Sequence, residues 1–404
     1  MSNKPHSYCR IHPLKLDSMK VPTMTKSLLN LSTLSVSLIV ALPAVSALAH
    51  PDVTEFLDVV FVAAPEVLDC TLTDGTAAEC YQFTVNYLPD DLKIGPFCPA
   101  TLDDAGGLWD WTGDQAGLYQ IDREFLELLN SLGYSFYNED GTVNVITSGG
   151  APDGTNSCMN LDADDTVTMT MLLPVTAVMA DAPTELGTVA KVGVATDGIP
   201  IFADAPSIQE RSNMPALDLC GGHIDPGGWY HWHATATDID TVLDAADISA
   251  SCNLPQDATA LFGYAFDGFA IYGSQEADGS VPSDLDECQG HVAETADGLN
   301  IYHYHAGDTF PNLPTCLVGL QASDNFSTTA SGGIGSQGGG PGGALGGGQG
   351  GLPPGFDEAA TTLGISAEDL FAAVEAAGGR DAYLADVAQT LEIDEDVLRD
   401  AMPE

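Results

Sequence analysis

Cys220–His233 reads CGGHIDPGGWYHWH, and Cys288–His305 reads CQGHVAETADGLNIYHYH. Each stretch sets a cysteine, a Gly-His pair that ends three residues on, and a Tyr-His-aromatic-His tetrad. Six of the nine histidines fall in these two stretches, the others being His6, His12 and His50 near the N-terminus. Side chains alternate along a strand, so residues i and i+2 share a face. Read as a strand, Tyr230–His233 turns two imidazoles one way and two aromatic rings the other, and Tyr302–His305 repeats the arrangement. The rings bury and stiffen the strand while His231 with His233, and His303 with His305, converge in pairs. His223 and His291, delivered from Gly-flanked positions beside the cysteines, supply a third nitrogen to each. Three imidazoles with an open position suit zinc or copper. The candidate metal ligands are therefore His223, His231, His233, His291, His303 and His305, set either as one site per stretch or as one site shared between them.

The repetition starts before the histidines. Gly193–Phe202, GVATDGIPIF, matches Gly263–Tyr272, GYAFDGFAIY, and Leu217–Cys220, LDLC, matches Leu285–Cys288, LDEC. Three collinear matches point to an internal duplication with repeat units at about 193–252 and 263–316. Asp197 and Asp267 stand in Asp-Gly pairs between apolar runs, where a tight turn favours them. They are turn residues first and carboxylate ligands second. Asp218 and Asp286, two residues before their cysteines, are reserve ligands or partners that orient the histidines.

Lys26 precedes an uncharged, largely apolar run from Ser27 to Ala49 that ends Ala47-Leu48-Ala49. This is the pattern of a secretory signal peptide over residues 1–49, with residues 1–23 an artefact if translation starts at Met24. Export implies a secreted or periplasmic chain with no membrane insertion after cleavage. Cleavage after Ala49 also leaves His50 as the first residue, whose amine and ring together can chelate copper. Eight cysteines remain, and an even number in an exported chain reads as disulfides. Cys70 and Cys80 are close enough to close a small loop, each repeat unit supplies one pair (Cys220–Cys252 and Cys288–Cys316), and Cys98–Cys158 is left by elimination. Residues 50–404 hold six Lys or Arg against 57 acidic residues. A surface this acidic is repelled by phosphate backbones and anionic headgroups, which argues against nucleic acid as a partner.

The chain reads as mainly β with some helix (α+β). Residues 50–185 form a β-rich N-terminal region, with strand-type runs at Phe56–Ala63 and Tyr81–Leu88, an amphipathic helix over Ile121–Gly133, and strand–turn–strand over Tyr137–Ile146. Residues 186–326 hold the duplicated domain. A Gly/Ser-rich linker covers 327–352, and residues 353–404 form a small helical module, with caps at Ser366 and Asp394, suited to docking a protein partner. No G-x-S-x-G elbow and no G-x-x-x-x-G-K-[ST] phosphate loop occurs in the sequence.

The run CGGHxDPxGxYHWH, followed by GYAFDGFAIYG, LDECQGH, YHYH and a closing cysteine, resembles the YHYH-domain proteins of bacteria and some eukaryotes, over about residues 190–320. The resemblance implies an exported, disulfide-containing domain and carries over no catalytic residues. The first tetrad departs from it, with Trp232 where the second has Tyr304. From the residues themselves the leading function is transition-metal binding through the two histidine triads. A metal-dependent hydrolase or oxidoreductase, using a carboxylate such as Asp267, and a non-catalytic surface or adhesion protein are the alternatives.

Overall fold

A computed structural model describes residues 50–336, apart from 58–60, 87–91, 148–155, 187–190, 204–207, 209–212 and 296–297, together with scattered residues between 356 and 399. The signal-peptide and most linker positions lie outside the described residues, as do Ser366 and Asp394. Among the described residues no helix is long and apolar enough to cross a membrane.

The centre is an eight-stranded sheet: β1 Lys191–Ala195, β2 Pro200–Phe202, β3 Gly222–Ile224, β4 Tyr230–Trp232, β5 Leu261–Ala265, β6 Ala270–Tyr272, β7 Gly290–Glu294 and β8 Asn300–His305. Its order is β3-β4-β2-β1-β5-β6-β8-β7. The second half therefore repeats the first, run outward from the middle. The register at the seam obeys the same symmetry, with Gly193 opposite Ala265, Val194 opposite Tyr264 and Ala195 opposite Gly263. Adding seventy to one member of each pair regenerates the set. Side chains are absent at Gly193 and Gly263 for a steric reason: a Cβ would stand 2.1 Å from the Tyr264 carbonyl oxygen at Gly193, and 2.3 Å from that of Val194 at Gly263.

The β1–β2 and β5–β6 hairpins each turn at an Asp-Gly pair. Gly198 and Gly268 adopt φ of +81° and +88°, a region an L side chain resists. The carboxylates of Asp197 and Asp267 accept from the backbone N–H two residues on, at 2.9 and 3.2 Å. Cross-strand pairs share a face. Following Trp232–Ile201–Gly193–Ala265 through one half, and Gly263–Ile271–Tyr304 through the other, puts Tyr230, Trp232, Tyr302 and Tyr304 on one face. His231, His233, His303 and His305 take the opposite face.

Four disulfides close, Cys70–Cys80, Cys98–Cys158, Cys220–Cys252 and Cys288–Cys316. Such bonds persist in an oxidising compartment. The first sits in a hairpin of Glu66–Thr71 and Ala77–Val85, which joins Met169–Pro174 and Phe326–Thr328 in a four-stranded sheet. A single apolar core runs from Phe56 through Trp109, Phe125, Val194 and Trp232 to Ala330. Helix α1, Arg123–Ser131, packs Phe125, Leu126 and Leu129 into it. Its Asp122 cap accepts from the Phe125 N–H at 3.0 Å.

Three sequence expectations differ from the fold. Among its described residues Phe56–Ala63 holds no strand, residues 58–60 lying outside them. It begins with the end of a 3-10 turn, Val53–Glu55, and makes one bridge at Phe61, because Phe56 is buried by distant rings, at 4.9 Å from Phe83 and 5.8 Å from Tyr264. Tyr137–Ile146 turns as expected but pairs across only one bridge, Tyr137 with Val143, and Val145–Ile146 instead runs parallel to Ser157–Met159. A helix over Ile239–Ala245 was not anticipated. Toward the C-terminus, helix Phe356–Leu363 is described, and Ala359, Ala360, Leu370, Ala373, Val387, Ala388 and Leu398 form a small apolar cluster.

Candidate metal centres

The antiparallel pairing of β3 with β4 sets His223 directly opposite His231, and that of β7 with β8 sets His291 opposite His303. The third histidine of each set follows two residues later on the same face. The Gly-His spacing has a steric origin that the sequence did not disclose. A Cβ at Gly222 would lie 2.3 Å from the Tyr230 phenol oxygen, and one at Gly290 would lie 2.0 Å from that of Tyr302. Each phenol crosses its glycine to reach an aspartate. Tyr230 donates to Asp218 at 2.9 Å, and Tyr302 donates to Asp286 at 2.8 Å. The other oxygen of each carboxylate holds the cysteine turn, accepting from Cys220 and Gly222 N–H in one unit and Cys288 and Gly290 N–H in the other.

Asp218 and Asp286 thus anchor the ring face of the tetrads and are not among the groups that converge with the histidines. Asp267 is likewise committed elsewhere, accepting from the Tyr304 hydroxyl at 2.6 Å and the Gly319 N–H at 2.9 Å, and Asp197 closes its hairpin turn.

The histidines assemble into two separate groups. In the first, His223 Nε2 lies 3.0 Å from His231 Nε2 and 3.2 Å from His233 Nε2. In the second, His303 and His305 bring their Nε2 atoms to 3.0 Å, and Glu276 joins them. Its Oε1 is 3.0 Å from His291 Nε2, and its Oε2 is 3.7 Å from His305 Nε2 and 4.0 Å from His303 Nε2. The ligand atoms of each group all lie within 4.8 Å of one another.

The opposite ring nitrogens fix the protons. Nδ1 of His223 faces the Pro215 carbonyl at 2.9 Å, that of His303 the Ile301 carbonyl at 3.1 Å, and that of His305 the Gly273 carbonyl at 2.8 Å. A carbonyl only accepts, so each of these Nδ1 atoms carries the hydrogen and each Nε2 presents a bare lone pair. His291 Nδ1 meets the Asp284 carboxylate at 2.8 Å. The Nδ1 atoms of His231 and His233 lie toward the Trp229 and Ala203 carbonyls without making a full hydrogen bond.

The bare Nε2 atoms of His303 and His305, 3.0 Å apart, repel unless a positive charge stands between them. Burial disfavours a proton in that role. It holds His223 and His303 at about 4, holds His231 and His233 well below the usual histidine range, and lowers His305. A metal ion fits the same geometry, since nitrogens each about 2.1 Å from a tetrahedral zinc stand roughly 3.4 Å apart. Sequence reading missed Glu276 and Asp284, which reach the second group from the segment between β6 and β7 and carry no periodic signal.

Residues 170–282 match the family model described as YHYH protein. The match supports assigning this segment to the YHYH-domain family. The match takes in the first histidine group and both Asp-Gly hairpins, and it ends ahead of Cys288, so Tyr302–His305 lies beyond it. No curated protein and no solved structure matches the chain.

The buried rings of the two histidine groups make the metal-free stability of the chain depend on pH. An unfolded chain protonates histidine below about pH 6.5, whereas these five rings resist protonation when folded. Each therefore subtracts stability as pH falls from about 6.5 towards 4. Burial raises Asp218 and Asp267 to about 6 and Asp225 to about 7, which acts in the opposite sense. The folded chain keeps those protons where the unfolded one has lost them, so stability falls as pH rises through roughly 4 to 7. Five rings outweigh three carboxylates. Metal-free protein should therefore show a lower urea midpoint at about pH 5 than at about pH 7, and a higher midpoint at the acid end would contradict the neutral-ring assignment.

Proposed function

We propose that this is an exported protein that binds a transition metal, zinc or copper, at two related centres. His223, His231 and His233 form the first, and His291, His303 and His305 with Glu276 form the second. The carrying observation is the convergence of three histidine Nε2 atoms in each group, bare at His303 and His305, which meet at 3.0 Å, where burial keeps the rings neutral. Neutral imidazole oriented through its other nitrogen is the usual state of a histidine ligand. The repeated strand order, the symmetric seam register and the repeated Tyr–Asp anchors support descent of the two centres from one duplicated unit. The disulfides and the apolar N-terminal run support export. The helical segment beyond the Gly-rich stretch is suited to holding a protein partner outside the metal-binding domain.

Protein purified without a histidine tag and loaded with zinc or copper should hold two equivalents per chain by elemental analysis. Replacing His231, His233, His303 and His305 together by alanine should abolish that binding while the disulfides remain closed. Retention of both equivalents by the fourfold variant, or metal well below one equivalent in the parent, overturns the proposal.

A further inference from the structure

The two centres differ in what surrounds them. At the second, the Glu276 side chain is 18% exposed and the Asp284 side chain 75%. His291 has a carboxylate on each ring nitrogen, Glu276 at 3.0 Å and Asp284 at 2.8 Å. Glu276 is thus the partly exposed member of the Nε2 cluster, while Asp284 holds the His291 ring from its Nδ1 side. Asp278 and Glu287 add exposed acidic residues on the neighbouring loops. Clustered carboxylates raise the local concentration of cations, and an oxygen ligand beside the site can hold an ion as it enters or leaves.

At the first centre the neighbours are aromatic. Phe202 and Trp229 stand 5.1 and 4.9 Å from the His231 ring, and Phe326 packs against both at 5.3 Å. All three are buried. Tyr272 and Ile301, each only partly buried, occupy the matching places in the second unit. Among the described residues no carboxylate oxygen joins the first group. Among the described residues, the first group is flanked by close-packed rings, which resist displacement.

The geometry points to a division of labour between the centres: the second exchanges a divalent transition-metal ion with solution past Glu276, with Asp284 orienting His291, and the first retains its ion. This deepens the two-centre reading and rests on it. The full chain, loaded with Cu(II) and then challenged with excess EDTA, tests the division, with released copper followed by elemental analysis. The copper-quenched part of the tryptophan emission reports the first centre, because of the four indoles Trp229 stands 4.9 Å from the His231 ring.

One equivalent should leave at least about tenfold faster than the other, with Trp229 emission recovering only in the slow phase. Asp284→Asn, which frees the His291 ring from its Nδ1 partner, should speed the fast phase by about tenfold, the scale on which an outer partner acts, and leave the slow phase unchanged. Loss of both equivalents at one rate, recovery of Trp229 emission in the fast phase, or an unchanged fast phase in the variant overturns the division and leaves two-centre binding standing. Failure of the parent chain to hold copper at all overturns the reading beneath it.

Discussion

Alanine in place of His305 should cut the zinc affinity of the second centre by more than the roughly 10–100-fold that loss of an outer partner costs, leaving one tightly held equivalent per chain. His305 merits this weight because its Nε2 meets His303 Nε2 at 3.0 Å and its Nδ1 is fixed by the Gly273 carbonyl. The ring is held from both sides on a paired strand, so the chain cannot swing another nitrogen into its place. Competition against a chromophoric chelator, with zinc counted per chain, gives the answer. The same loss should follow from His233→Ala at the first centre, where the neighbouring Nε2 lies 3.2 Å away. Two undiminished equivalents in either variant would remove that histidine from its centre.

Trp232→Ala should act on the fold and spare the metal. Trp232 is fully buried, packs edge-on against Tyr230 at 5.0 Å and approaches Phe262 at 6.3 Å. Removing so large a buried ring typically costs about 3–5 kcal/mol, through lost burial and the cavity left behind. Its neighbours His231 and His233 point to the opposite face, so protein that remains folded should keep its metal stoichiometry. Urea unfolding supplies the stability, and elemental analysis of the folded fraction supplies the count. A loss of metal without a loss of stability would mean that the two faces of the tetrad do not divide scaffold from ligands.

Period-two alternation in the tetrads made much of this legible from sequence, because a strand sorts neighbours onto opposite faces whatever surrounds it. The paired offsets of the two units were equally readable, since strand order and seam register follow from chain positions that repeat. What stayed hidden depends on chain reversal. Glu276 and Asp284 sit in a turn-rich segment with no period, and only folding brings them to His291. The aspartates before the cysteines suggested ligands by proximity along the chain. In space the phenols of Tyr230 and Tyr302 reach them first, passing over glycines whose missing side chains are the trace of that contact. Phe56 misled in the same way, for an apolar run signals burial without saying what buries it. The helix at Ile239–Ala245 has no side-chain cap hydrogen bond and spans only two turns, too little for its pattern to stand out.

The sheet that carries the tetrads also sets a length. Five strand steps separate β4 from β8, and at about 4.8 Å per step the two histidine groups stand roughly 24 Å apart on one face. Neighbouring strands are locked by hydrogen bonds and, at the seam, by glycines too closely packed to slide. With Cu(II) in both centres the molecule would become a pair of unpaired electrons mounted on a stiff ruler. Their magnetic coupling would give one narrow distance, and that distance would stretch or blur as soon as the seam between β1 and β5 opened.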